Sequence, residues 1–220
     1  MINRYFFRLN LFKNRIQRDG LFLSMQYYYR RICSLVYGVI VFGRTDINIV
    51  PDARLAGVDC MYIGKGFIAG RGLWMEVVNN YFPAKQSFLP NLIIGDRVSV
   101  GEYVHIGCNN SVVIGDDVLM GSKIYITDHN HGNYRGNTHD NPAIPPNDRR
   151  LTEGECVNIG DRCWIGEFVT ILPGVTIGAG CIIGSHSTVT RDIPANSIAV
   201  GSPARVVKRW NGNAWLKNNF

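Results

Sequence analysis

The sequence predicts an all-β fold, a parallel β-helix, and three observations predict it. The first is a six-residue period. From Ile159 the chain reads IGDRCW, IGEFVT, ILPGVT, IGAGCI, IGSHST and VTRDIP, so that Ile159, Ile165, Ile171, Ile177, Ile183 and Val189 recur without a slip. The second is the company each aliphatic keeps. Glycine follows it in four of the six units, and the fifth position holds Cys163, Val169, Val175, Cys181, Ser187 and Ile193, mostly small. The third is that neither a helix, with period 3.6, nor an ordinary strand, with period 2, accounts for a spacing of six.

Six residues suffice for one short strand and one turn. Three such units close a triangular coil, and coils stack about 4.8 Å apart through strand hydrogen bonds. The aliphatic fills the narrow interior, and the small fifth residue leaves it room. Glycine after the aliphatic reads as tolerance for the turn's backbone angles. Each coil is a repeat that buries its apolar face only against its neighbours.

Earlier tracts keep the spacing less completely: Ile63, Ala69 and Met75, then Ile94, Val100 and Ile106, then Ile114, Met120 and Ile126. The step from Ile106 to Ile114 is eight residues, which predicts a bulge or short loop at Cys108–Val113. Two excursions break the prism, 79–91 with Pro83 and Pro90, and 129–155 with Pro142, Pro145 and Pro146. Long loops on a rigid scaffold commonly carry function. The expected organisation is a helical N-terminal segment over 1–55, the β-helix over 56–203, and a short helical tail over 204–220.

Hydrophobic residues make up 46% and charged residues 18% of the chain, which excludes a disordered protein. The net charge of +6 is concentrated at one end. Residues 1–44 hold eight basic residues against one acid, Asp19, a net of +7. Aromatic and aliphatic residues accompany them, from Phe6, Phe7 and Phe12 to Tyr27, Tyr28 and Tyr29. This segment reads equally as a contact with an anionic membrane surface and as helices packed on the domain with arginines in water. The apolar run Leu35–Phe42 is too short to span a bilayer, and no secretory signal is expected. No nucleic-acid partner is expected either. Six cysteines contain no CxxC pair, against a zinc ribbon. Cys163 and Cys181 read as buried thiols, which points to a reducing cytosol.

Residues 159–208, ending in GSPARVVK, resemble the hexapeptide-repeat acetyltransferases, which share this ending among the galactoside, maltose and nodulation-factor enzymes. Upstream, GKGFIAGRGL (64–73), EYVHIG (102–107), SKIYITDHNHG (122–132) and the stretch 144–151 resemble bacterial lipopolysaccharide O-acetyltransferases. The resemblance covers about residues 60–209 and implies a left-handed β-helix, a homotrimer and a cytoplasmic enzyme. The activity it implies is transfer of acetyl from acetyl-CoA to a sugar hydroxyl, the acceptor being a free or lipid-linked saccharide.

Such a reaction needs a base for the hydroxyl, donors for the oxyanion and a grip on the thioester. The resemblance places the base at His129, where an imidazole accelerates attack by roughly 10²–10⁴-fold. His131 is a candidate acceptor contact, as are His105 and Asn109 one coil earlier, each with a structural reading beside it. His139 reads as a loop histidine and His186 as an outward one. Trp164 matches a tryptophan that walls the site in the resembling enzymes. The oxyanion donor falls at the backbone N–H of Glu167, where those enzymes carry a small residue; an amide donor needs no particular side chain. Gly121 matches a position along the pantetheine, and Ser185, Thr190, Arg191, Arg205 and Lys208 match contacts to CoA, whose phosphates favour arginine and lysine. Arg205 and Lys208, three apart on an expected helix, would share a face.

Three other readings compete. Nucleotide-sugar N-acetyltransferases and serine acetyltransferases share the fold. A carbonic-anhydrase-like enzyme would bind zinc through His105, His129 and His131, although the resemblance to CoA-dependent enzymes implies no metal. A non-enzymatic envelope scaffold would bind no CoA at all.

Overall fold

A hexad folds here as a strand of two to four residues followed by a turn, and successive strands fall on three faces in rotation. The computed structural model describes residues 13–137 and 139–217. The first face holds Asn48–Ile49, Ile68–Ala69, Ser99–Val100, Leu119–Met120, Trp164–Ile165, Ile182–Ile183 and Ser197–Val200. The second holds Arg54–Ala56, Trp74–Val77, His105–Cys108, Tyr125–Thr127, Thr170–Ile171 and Thr188–Val189. The third holds Met61–Ile63, Asn91–Ile94, Ser111–Ile114, Val157–Ile159 and Thr176–Ile177. Neighbouring strands within the coils are parallel and in register, so Met75, Ile106, Ile126, Ile171 and Val189 stack in one interior column. All are fully buried, and burial of each such side chain contributes roughly 2 kcal/mol. The small fifth residues Cys163, Val169, Val175, Cys181 and Ser187 are buried beside them.

The glycines after the aliphatics serve a different purpose from the one the sequence suggests. Left-handed angles fall instead on residues such as Arg97, Asp117 and Arg162 at one corner, and Tyr103, Lys123, Phe168 and His186 at another. The glycines are needed for close approach. A Cβ on Gly101 would lie 2.6 Å from the carbonyl of Gly121, and one on Gly121 would lie 2.8 Å from the amide of Glu167.

Two expectations need correction. The β-helix begins before residue 56, because Asn48–Ile49 and Arg54–Ala56 already pair with the following coil. Val50, Pro51 and Asp52 stand after Ile49 where a glycine would mark a unit, which hides this coil in the sequence. The C-terminal tail is not helical. Arg205–Trp210 pairs antiparallel with Ser197–Val200, and Trp215–Lys217 pairs back on it. The open edge of the last coil supplies hydrogen-bond partners, and Val206 and Val207 favour a strand. Arg205 stands opposite Val200 and Lys208 opposite Ile198, with a bulge between. The two basic residues therefore do share a face, through the bulge and not through a helical turn.

At the N-terminal end the helix Leu21–Phe42 caps the first coil. Its Gly38 fits so tightly that an added Cβ would lie 2.5 Å from the carbonyl oxygen of Ile47. Among the described residues no helix is long and apolar enough to cross a membrane. Residues 1–12, with Arg4, Arg8, Phe6, Phe7 and Phe12, lie outside the described residues.

Candidate active site

Every departure from the six-residue register leaves the prism at the same corner, between the second and third faces. The first excursion runs from Val77 to Asn91, the short turn is Asn109–Asn110, and the long excursion runs from Thr127 to Val157. They lie on successive coils and stack. The Gln86 side chain joins the first excursion to the last: its Nε2 donates to the Leu151 carbonyl at 2.9 Å and its Oε1 accepts from the Leu151 N–H at 2.8 Å. Tyr81 also reaches across, with its hydroxyl 3.5 Å from His131 Nδ1.

The centre of this corner is Asp128, which the sequence reading passed over. Its carboxylate has no solvent exposure. It accepts from the backbone N–H of Asn109 at 3.0 Å, and from those of Asn110 and Ser111 at 2.9 Å each. The turn that absorbs the eight-residue step is thus folded around a buried anion. Burial alone pushes this carboxyl up, but the bonds from His129 and the amides of Asn109 and Asn110 outweigh it and hold it below the usual carboxylate range. The signal was in the sequence, as the acid directly before the histidine in TDHNHG.

Asp128 Oδ1 lies 2.6 Å from His129 Nδ1. His129 opens the long excursion, and its backbone is held by Thr127 Oγ1, which accepts from the His129 N–H at 3.3 Å. The imidazole lies beside Gly107, where a Cβ would sit 3.5 Å from His129 Cε1. With Nδ1 taken by the carboxylate, Nε2 is the nitrogen left for chemistry. His129 lines a cavity of about 230 Å³ together with Glu76, His105, Tyr125, Thr127 and His131.

Three of the histidines singled out in the sequence therefore meet. His105 stacks on Trp74 at 3.9 Å, and Arg54 covers the other face of that indole at 4.4 Å. Burial pushes the His105 imidazole below its ordinary value, against the pull of Glu76. Its buried Nε2 has no hydrogen-bond partner among the described residues. Asn109 does not line the cavity; its side chain is buried and donates to the Thr152 carbonyl at 2.9 Å. His139 lines a larger cavity of about 540 Å³ beneath the long excursion, with Tyr134, Arg135 and Arg150. His186 stacks on Phe168 at 4.6 Å.

The remaining candidates lie elsewhere on the chain. Gly121, Glu167 and Ser185 form one column at the corner between the first and second faces. The N–H of Glu167 has no acceptor among the described residues. Trp164 projects from the first face and is 54% exposed. It stands in register with Leu119, itself exposed, and with Ile182. Thr190 and Arg191 follow the last strand of the second face, and Arg205 and Lys208 lie on the terminal hairpin. The second face thus separates the Glu167 column, at its entry edge, from His129, at its exit edge.

A model of the bacterial transferase hexapeptide (six repeats) matches residues 156–191. A putative lipopolysaccharide biosynthesis O-acetyl transferase of Escherichia coli K12, WbbJ, is 40% identical over 149 residues, which cover 67% of this chain and 71% of that one. The chain belongs to the hexapeptide-repeat acetyltransferases. Another relative of this acetyltransferase is the galactoside O-acetyltransferase of the same organism, 32% identical over 146 residues, 64% of this chain and 63% of that one. Among solved structures, the N-acyltransferase AntD of Bacillus cereus superposes with a TM-score of 0.57 at 19% identity, covering 74% of this chain and 81% of that one. That likeness speaks for the fold. The acetyltransferase carries its Asp128–His129 pair where its excursions stack.

Proposed function

We propose that this acyltransferase uses acetyl-CoA to acetylate a sugar hydroxyl, in a lipopolysaccharide or another surface-polysaccharide precursor. One observation carries the reading: a histidine whose Nδ1 is bound by a buried carboxylate and whose ring opens into a cavity walled by polar side chains. The buried Asp128 charge fixes the imidazole with its proton on Nδ1, so that Nε2 takes the proton from the acceptor hydroxyl as its oxygen attacks the thioester carbonyl. His105 and His131 would contact the acceptor; the unpartnered His105 Nε2 asks for such a group. The name of the first relative supports an O-acceptor. AntD, an N-acyltransferase solved also with dTDP-4-amino-4,6-dideoxyglucose and coenzyme A, keeps a nucleotide-sugar amine as the second reading. Mass spectrometry of the surface polysaccharide with and without this protein tests the proposal, which fails if no acetyl group is lost.

Acetyl-CoA would lie along the Glu167 column, with the free amide of Glu167 facing the developing oxyanion and Ser185, Thr190, Arg191, Arg205 and Lys208 toward the nucleotide end. Arg205→Ala is expected to raise the Michaelis constant for acetyl-CoA by about tenfold, the loss of one charge-assisted hydrogen bond, and to leave that for the acceptor unchanged. Equal changes in both constants would count against the assignment.

The column and His129 stand on opposite edges of the second face, so one chain does not complete the site. Three left-handed prisms in a closed ring would bring the Glu167 column and Trp164 of one chain to the His129 of the next, and would cover the exposed apolar row of the first face. Light scattering at micromolar concentration is expected to give three times the chain mass of 24.6 kDa. An active monomer would refute the shared site. The reading places the enzyme in the cytoplasm, peripheral to the inner face of the cytoplasmic membrane when its acceptor is lipid-linked.

A further inference from the structure

The helix Leu21–Phe42 is apolar on the side that should be polar. Its buried residues are Ser24, Ser34 and Gly38. Gly38 presses on the first coil, and the preceding helical stretch 13–19 folds back on the helix, with Arg15 over the Tyr27 ring at 3.5 Å. Phe22, Met25, Tyr29, Ile32, Val36 and Ile40 are turned the other way. At 100° per residue they fall within one stripe less than a third of the helix circumference wide. All six are at least half exposed, from Val36 at 51% to Phe22 at 77%. Among the described residues no neighbouring element of the chain covers them.

Charge decides what does. Arg30 and Arg31 are exposed and stand on either flank of the helix, away from the stripe. The helix contains no Asp or Glu. The one acid before it, Asp19, is already bonded by Arg15 and Arg18. Three copies packed stripe to stripe would leave their arginines, which point away from the stripe, with no carboxylate of the helix to pair them. A lipid surface with anionic headgroups solves both problems: the stripe enters the acyl boundary while the arginines reach up to the phosphates. The helix would lie in the plane of the surface, since it is not apolar enough to cross.

We propose that this stripe seats the enzyme on an anionic lipid surface. The proposal rests on the cytoplasmic, lipid-linked reading of the acceptor for its purpose, but its test does not use activity on that acceptor. The full chain, without acetyl-CoA, is floated with phosphatidylcholine vesicles with and without phosphatidylglycerol. It is expected to float only with the anionic vesicles, and less as salt rises. The pair Ile32→Glu and Ile40→Glu should abolish flotation at unchanged oligomeric mass and melting temperature. Arg30→Gln with Arg31→Gln should weaken partition by about thirtyfold, at about fivefold per arginine. A Tyr29→Trp variant should show a blue-shifted emission on adding anionic vesicles. The proposal is overturned if the intact chain ignores anionic vesicles or if the glutamate pair still floats. It is equally overturned if that pair dissociates the oligomer, because the stripe would then belong to a second copy.

Discussion

Replacing Asp128 with alanine is expected to destabilise the protein by about 3–5 kcal/mol, the usual cost of removing one partner from a buried charged cluster. The carboxylate accepts from three successive amides, Asn109, Asn110 and Ser111, and from His129. Without it the three amides lose their acceptor in a closely packed corner, where a Cβ on Gly154 would lie 3.0 Å from Asp128 Oδ2. Asp128→Asn separates the two roles. It keeps an acceptor oxygen for the turn, so stability should fall by only about 1–3 kcal/mol. Its amide can donate to His129 Nδ1, which moves the ring proton to Nε2 and removes the base. Turnover should then drop by about two to four orders of magnitude with little change in either Michaelis constant. The pH dependence has a definite sign. The folded carboxyl is held below its ordinary value, so its stabilisation is complete above the unfolded carboxylate range near pH 4 and is lost as pH falls through the folded value. Thermal melts of the Asn variant across this acid range should lack that part of the loss. A variant with normal melting and normal turnover would show that the carboxylate serves neither purpose.

The contrast between what the sequence discloses and what it hides follows from separation along the chain. The coils are legible because each hexad repeats its own reason: Ile159, Ile165 and Ile171 announce three faces within thirteen residues. His129 is legible because it sits in a run that resembles known enzymes. The Asp128 clamp joins residues 17 to 19 apart, across a coil. It exists only because the excursions emerge from one corner, and period alone does not say at which corner a slip occurs. The terminal hairpin escaped for a similar reason. Whether Val206 and Val207 form a strand depends on the open edge at Ser197–Val200, which is a property of the finished stack. The Gln86–Leu151 bridge, 65 residues long in sequence, is likewise a consequence of stacking.

His129→Ala is expected to leave the fold nearly unchanged and to reduce turnover by about two to four orders of magnitude, the usual contribution of a positioned general base. The fold survives because Asp128 keeps its three backbone donors when the imidazole is gone. Binding of acetyl-CoA should also survive. The proposed CoA column at Gly121, Glu167 and Ser185 lies at the other edge of the second face, beyond the strand Tyr125–Thr127. The predicted signature is therefore a fall in the turnover number with an unchanged dissociation constant for CoA, measured by calorimetry. Deleting the ring vacates the space beside Gly107, a residue that carries no side chain to fill it. Added imidazole should enter there and restore part of the activity. The same addition should do nothing for His105→Ala, whose ring is wedged against Trp74 at 3.9 Å and is assigned to acceptor contact, so that its loss raises the acceptor Michaelis constant instead. Near-normal turnover in His129→Ala would remove the base from the mechanism. In that case the partner at 2.6 Å would make His129 a structural ligand of Asp128 and nothing more.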